Sequence, residues 1–150
     1  MAETAEVLKI IRNLLASQRL AVLSTQNQGQ PYSNLVAFAV SSEPKYLLFA
    51  TSRATRKYAN LLADSRVSIL IDNRTNETTD FAEAAAVTVL GQAWEVHGVD
   101  RQQLIPIYLE RHPYLQDFVN SPNCALLQVK VERYILVNRF QDVREIYPGV

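Results

Sequence analysis

The stretch Phe49-Ala50-Thr51-Ser52-Arg53-Ala54-Thr55-Arg56-Lys57-Tyr58-Ala59-Asn60-Leu61 joins a strand end to a helix start. Apolar residues stop at Ala50, hydroxyls follow at Thr51, Ser52 and Thr55, and Arg53, Arg56 and Lys57 open the helix. The pattern predicts a strand over 46–51 and, directly after it, a short helix over 54–63. Cations in a first helical turn face the positive end of the helix dipole, a conflict of roughly a few tenths of a kcal/mol each. An anion at that place removes the conflict, because free backbone N–H groups, hydroxyls and guanidinium groups then converge on one charge. On a helical wheel Ala54, Tyr58, Leu61 and Leu62 share the core-facing side; Arg53, Arg56 and Asn60 take the opposite one, with Lys57 at the flank. Spacing alone leaves two readings open, a solvated polar face and an anion site.

Upstream, Thr4 is positioned to cap a helix whose apolar residues Val7, Leu8, Ile10, Ile11, Leu14 and Leu15 recur at helical spacing and end near Ser17. A strand is expected over 20–25, a turn at Asn27-Gln28-Gly29, and a second strand over 31–40. Val36, Phe38 and Val40 lie on one face of that strand and Leu35, Ala37 and Ala39 on the other, so both faces are apolar. That suits a barrel wall with a further layer packed outside it. Ser41-Ser42-Glu43-Pro44 reads as a hairpin turn.

Downstream, strands are expected over 66–72, 84–96, 123–137 and 143–147, with Gly91 marking a bulge or bend. Residues 73–80 read as a mobile polar hairpin loop. Asp100 with Gln103 suggests a capping-box start for a helix toward Arg111, kinked at Pro106. Tyr114 and Phe118 are expected to anchor a short helix over the barrel. The sum is a mainly β chain with peripheral helices, a single-domain antiparallel barrel of six or seven strands.

Composition narrows the function classes. Fifteen Lys and Arg balance fifteen Asp and Glu, so no basic face is available to displace counterions from nucleic acid. No apolar stretch is long enough to span a bilayer and no secretory signal is visible, which reads as cytoplasmic with no membrane partner. The one cysteine, Cys124, offers neither a disulfide nor metal-site spacing and is expected to be a buried thiol. His97 and His112 are isolated from carboxylates and are read as surface or capping residues; no metal site is expected. Trp94 and Tyr32 are read as core or interface aromatics.

The segment from Gln28 to Ile71 resembles the FMN-binding core of the pyridoxamine 5'-phosphate oxidase-like superfamily. The resemblance rests on Gly29-Gln30-Pro31-Tyr32 leading into strand two, Phe49-Ala50-Thr51 ending strand three, the Arg56-Lys57 pair, Arg66-Val67-Ser68 and the later Val87-Thr88-Val89-Leu90-Gly91-Gln92-Ala93. It implies an FMN-binding split barrel, with the FMN phosphate on Arg56 and Lys57, assisted by Thr51 and Ser52. Ala50 and Thr51 would line the flavin edge, and the backbone of Ser33, Asn34, Leu35 and Val36 would meet its ring. It also implies a homodimer with the cofactor at the two-fold interface.

Several positions depart from the oxidase pattern. Asn34 stands where an Arg is expected, Ala39 where a Lys is, and Ala86 where a Gln is; no Arg-x-His follows, and the segment 141–148 has no Trp. These departures argue against a vitamin B6 phosphate as substrate. The expectation is an FMN-dependent oxidoreductase acting on a small organic molecule or a nicotinamide donor, with no catalytic side chain assigned. The alternatives are a non-catalytic flavin carrier or sensor, or a deazaflavin- or haem-binding member of the same fold.

Overall fold

Strands form where apolar and polar residues alternate, and helices cover the faces this leaves apolar. A computed structural model describes residues 2–42, 44–139 and 142–149. In chain order the elements are α1 (Ala2–Ser17), β1 (Leu20–Asn27), β2 (Gln30–Ser42), β3 (Tyr46–Ser52), α2 (Arg56–Ala63), β4 (Arg66–Asp72) and α3 (Asp80–Glu83). They continue with β5 (Ala86–Glu95), α4 (Gly98–Arg111), a 3-10 turn (Pro113–Leu115), α5 (Gln116–Asn120), β6 (Cys124–Asn138) and β7 (Asp142–Ile146). The sheet order is β3-β2-β1-β4-β5-β6-β7, and β3 also pairs with β6, which closes β1 to β6 into a barrel and leaves β7 as an added strand. Every pairing is antiparallel. The expected split barrel with peripheral helices is the observed architecture.

The two apolar faces of β2 serve two cores. Val36 and Phe38 join Leu47, Phe49, Ile69, Val89, Leu127 and Val129 inside the barrel, with Ile11, Leu14 and Leu15 of α1 packed against them. Ala39, together with Leu48, Ala50 and Leu126, faces a second core covered by Tyr108 of α4 and Val119 of α5. Cys124 is buried in that second core.

Local chemistry sets the turns. Gln28 and Gly29 both have positive φ, 51° and 82°, between the paired Asn27 and Gln30. This is a two-residue hairpin turn whose twist suits the flanking strands. Opposite Gly91 the β5–β6 register slips between Leu90 and Gly91, leaving Glu132 of β6 unpaired. The extra residue of the expected bulge therefore sits on the partner strand. A Cβ at Gly91 would lie 2.2 Å from the Lys130 carbonyl oxygen, so only glycine fits.

Several expectations are corrected. Thr4 lies inside α1 rather than capping it, and Ser41 and Ser42 extend β2 instead of turning. Glu43 of that expected turn, and Gln141 of the terminal segment, lie outside the described residues. In α4, Asp100 falls inside a helix that begins at Gly98, and the helix continues through Pro106; Pro106 and Gln102 are both exposed, so water can take the freed carbonyl. Residues 73–79 are held by Asp80, whose carboxylate accepts from the Thr75 N–H and hydroxyl at 3.0 and 2.8 Å and from the Asn76 N–H at 2.7 Å. Tyr114 is 89% exposed; Val119 and Leu115 anchor α5 instead. His112 is buried, its Nε2–H donating to the Phe38 carbonyl at 2.6 Å, because the turn at Pro113 folds it onto β2.

Candidate functional site

β2 pairs with β1 along Gln30–Ala37, but with β3 only from Phe38 to Ser42. β3 meanwhile continues along β6 as far as Ser52 opposite Cys124. The two strands therefore diverge, and the other edge of β2 from Ala37 back to Gln30 has no strand partner. This is the split in the barrel. α4 closes only its upper end, where Tyr108 Oη donates to the Ala37 carbonyl at 2.9 Å. This edge is largely open to solvent, with Val36 its one buried residue, and its unpaired N–H and C=O groups suit a flat ligand with donors and acceptors on its rim.

At the lower end the chain leaves β3 and turns into α2. The helix begins at Arg56 rather than Ala54 because Thr55 takes the N-cap, its hydroxyl accepting from the Tyr58 N–H at 3.3 Å. Thr51, almost fully buried, lies 3.1 Å from the Thr55 hydroxyl, which itself donates to the Ser52 carbonyl at 2.9 Å. Ser52 Oγ accepts from the Ala54 N–H at 3.2 Å and from Asn123 Nδ2 at 3.1 Å. The hydroxyl cluster is thus tied up within the loop.

The buried face of α2 is not wholly the one the helical wheel assigned. Asn60, assigned to the solvent side, is 3% exposed and donates to Thr25 Oγ1 at 2.9 Å; Leu62, assigned to the core, is 73% exposed. A buried Thr hydroxyl on β1 gives the amide a partner that a wheel drawn from sequence cannot supply.

Arg53, Arg56 and Lys57 do not act alike. Arg53 Nη2 pairs with Glu95 Oε2, and its Nη1 donates to the Pro122 carbonyl at 3.0 Å. Arg56 and Lys57 have no acidic partner among the described residues, and the first turn of α2 contains no acidic residue. Arg56 lies over the Tyr32 ring, 5.5 Å from its centroid, and is otherwise exposed. Burial pushes the Lys57 ammonium below its ordinary value. Two unneutralised cations therefore sit beside the free N–H groups of a helix entrance.

On β2, alternation sends Asn34 and Val36 toward the Tyr32 side and Ser33 and Leu35 to the other. Val36 is buried in the barrel core and Ala50 in the outer core, so only their backbone can meet a ligand. Ser33 Oγ is 3.1 Å from Ser24 Oγ, and Leu35 is 63% exposed. Asn34 Oδ1 is shielded from solvent and has no hydrogen-bond partner. Thr51, Ser52, Arg56 and Lys57 are thus gathered at the loop, while Ser33 to Val36 lie along the seam.

Sequence reasoning missed Glu95. It accepts from Tyr58 Oη at 2.5 Å as well as from Arg53, partners 37 and 42 residues away. No local spacing announces such a pairing. Its burial raises the carboxyl, but the bonds from Arg53 and Tyr58 outweigh this and hold it below the usual range. No cluster of metal-ligating residues occurs among the described residues, and no described helix is long and apolar enough to cross a membrane.

Comparison with known proteins places this geometry. No curated protein matches the chain at a significant level. A heme binding protein from Mycobacterium smegmatis superposes with a TM-score of 0.83 at 19% identity over 93% of this chain, which spans only 57% of that protein. A FAD-binding protein from Mesorhizobium loti superposes at 0.70, with 19% identity over 85% of this chain and 89% of that one. General Stress Protein 26 from Bacillus anthracis gives 0.68, with 18% identity over 94% and 98%. At such identities these neighbours establish the fold alone. Residues 8–138 match the family model for pyridoxamine 5'-phosphate oxidase, and the chain belongs to that family.

Proposed function

We propose that this chain binds flavin mononucleotide, with the phosphate at Arg56 and Lys57 and the ring along the open edge of β2, and that it works as an FMN-dependent oxidoreductase. One observation carries the reading: two cations without an acidic partner among the described residues stand at the entrance of α2, next to a strand edge without a strand partner. A phosphate dianion matches both their charge and the free N–H groups there. The partnerless Asn34 Oδ1 also fits, since a donor on a ligand in the seam would satisfy it. Ser52 Oγ, which accepts within the loop, would donate its hydroxyl hydrogen to the phosphate, and Thr51 would exchange its bond to the Ser52 carbonyl for one to the phosphate. Ala50 would line the ring edge, and the backbone of Ser33 to Val36 would meet the ring.

Bound FMN supplies a hydride acceptor, so the protein needs no acid–base pair of its own for that chemistry. The residues of the chain hold the phosphate charge, align the ring and keep water from its buried edge. A small organic molecule or a nicotinamide donor is the substrate class this leaves. A second copy of the chain completes the site in this reading: Leu20 and Leu35 are exposed on the outer face of β1 and β2, beside the half-buried Val22 and Leu70. A buried, unpaired Cys124 suits a cytoplasmic setting.

The Mycobacterium smegmatis neighbour makes haem the competing ligand. The visible spectrum of the purified protein, followed by FMN titration and anaerobic addition of NADH, separates the readings. Flavin bands that bleach with the donor support the proposal. A Soret band, or no FMN binding, overturns it; bound flavin that no donor reduces leaves a carrier or sensor. Sedimentation finding only a 17.0 kDa species at micromolar concentration removes the dimer.

A further inference from the structure

The loop proposed to grip the phosphate is itself gripped from outside. Glu95 ends β5, and its side chain is only 9% exposed. One carboxylate oxygen accepts from Tyr58 Oη at 2.5 Å and the other from Arg53 Nη2. Tyr58 directly follows Lys57, and Arg53 lies three residues before Arg56. One carboxylate therefore ties down the chain on both sides of the Arg56-Lys57 pair.

We infer that Glu95 is a positioning residue for the phosphate site, fixing the loop 52–58 and holding Arg53 away from the ligand; the inference rests on the phosphate reading above. Arg53 is anchored at its backbone as well, its N–H donating to the Asn123 carbonyl at 2.9 Å. With its guanidinium on Glu95 and the Pro122 carbonyl, it cannot turn to the α2 entrance without abandoning those bonds. Glu95 also cancels the Arg53 charge. Arg56 and Lys57 are then left as a charge of two against a dianion, in place of three. A carboxylate with so little water around it keeps its ionised form because both partners donate to it. The exposed His97, with Nδ1 3.8 Å from Glu95 Oε2, adds only a weak contact.

A purely structural role and a positioning role differ in which ligand they affect. If Glu95 merely supported the barrel, its loss would weaken every flavin alike. If it positions the phosphate grip, riboflavin, which has no phosphate, is unaffected. The test measures Kd for FMN and for riboflavin by fluorescence quenching in the wild-type protein, Glu95→Gln and Tyr58→Phe. Glu95→Gln is expected to weaken FMN about tenfold or more while leaving riboflavin unchanged. Tyr58→Phe keeps the ring packing and gives a smaller loss in the same direction, and it decides the matter should Glu95→Gln not fold. Equal weakening of both ligands, or unchanged FMN affinity, overturns the inference while the wild-type preference for FMN keeps the phosphate reading. A wild-type protein that binds FMN no better than riboflavin overturns both.

Discussion

Two polar connections leave neighbouring parts of the barrel, and each is organised by a carboxylate, yet they are built in opposite ways. After β4, Asp80 gathers the N–H groups of Thr75 and Asn76 from four and five residues away, and the cation there, Arg74, pairs with Asp72 at 3.1 Å. After β3, the organising carboxylate is Glu95, reached across 37 and 42 residues, and two cations remain without acidic partners. The first loop is self-contained and electrostatically settled. The second has bonds of its own, but its Glu95 clamp forms only once the barrel has closed, and it is left with surplus positive charge. A loop that satisfies itself can be mobile or varied at little cost, whereas one held by distant strands is fixed in shape and poised for a ligand.

The largest effect should come from removing that surplus. Arg56→Glu combined with Lys57→Ala is expected to lower FMN affinity by about a hundredfold or more, since each charge-assisted contact is worth roughly 1.5–3 kcal/mol. Far-UV circular dichroism should stay unchanged, because neither side chain has an ion-pair partner among the described residues. The matching Arg74→Ala should leave FMN affinity as it was. Equal losses from both would erase the contrast between the loops.

Next comes the strand that delivers Glu95. Gly91 holds the β5–β6 register that sets Glu95 opposite Leu127. An alanine there would drive its Cβ to 2.2 Å from the Lys130 carbonyl oxygen. Gly91→Ala is expected to cost about 1–3 kcal/mol in urea unfolding, as overpacking does, and to weaken FMN through the displaced Glu95. Unchanged stability would mean that the bulge opposite Gly91 yields more easily than its geometry implies.

A third contrast concerns pH. Burial first, then the nearby Arg111 and Arg19 charges, push His112 below its ordinary value, against the opposing bond to Phe38. The folded protein thus disfavours the protonated ring. The stability from this group is complete above the unfolded-state value of about 6.5 and is lost as pH falls through the lower folded value. Glu95 and Asp80 are both held below the usual carboxylate range, so both loops stay clamped over that window. Urea midpoints should therefore drop between about pH 7.5 and mildly acid conditions, and His112→Gln, which keeps a donor for the Phe38 carbonyl, should flatten the drop. An equally steep drop in the variant would assign it to other groups.

The same contrast explains what could be read from the sequence. β4 is legible to the residue, because from Arg66 to Asp72 buried residues alternate with exposed or half-buried ones. The two apolar faces of β2 correctly implied a barrel with a second layer. Thr51, Ser52, Arg56 and Lys57 stand out because they lie close together in one short stretch, from Thr51 to Lys57. What a sequence cannot show is non-local: the Thr25 hydroxyl that draws Asn60 inward, the Phe38 carbonyl that buries His112 while it caps α4 as expected, and the Glu95 on another strand that separates Arg53 from Arg56. Polarity alone cannot tell a solvated side chain from one whose partner arrives only in three dimensions.

The smallest effect, and the sharpest check on the comparison, belongs to Asp80. The Thr75 backbone N–H, then the Thr75 hydroxyl and the Asn76 N–H, hold its carboxyl down. Asp80→Asn keeps an acceptor but loses the charge that gathers these donors. Because the group is exposed, water replaces much of what is lost, so the urea midpoint should scarcely move. The change should appear instead in hydrogen exchange, as faster exchange of the Thr75 and Asn76 amides. Exchange at Ala54 and Tyr58, whose N–H groups are bound within the other loop, should stay as slow as before, and FMN affinity with it. If loosening Asp80 also speeds exchange at Tyr58, the two loops share one mechanical unit and Glu95 does not act on the phosphate loop alone.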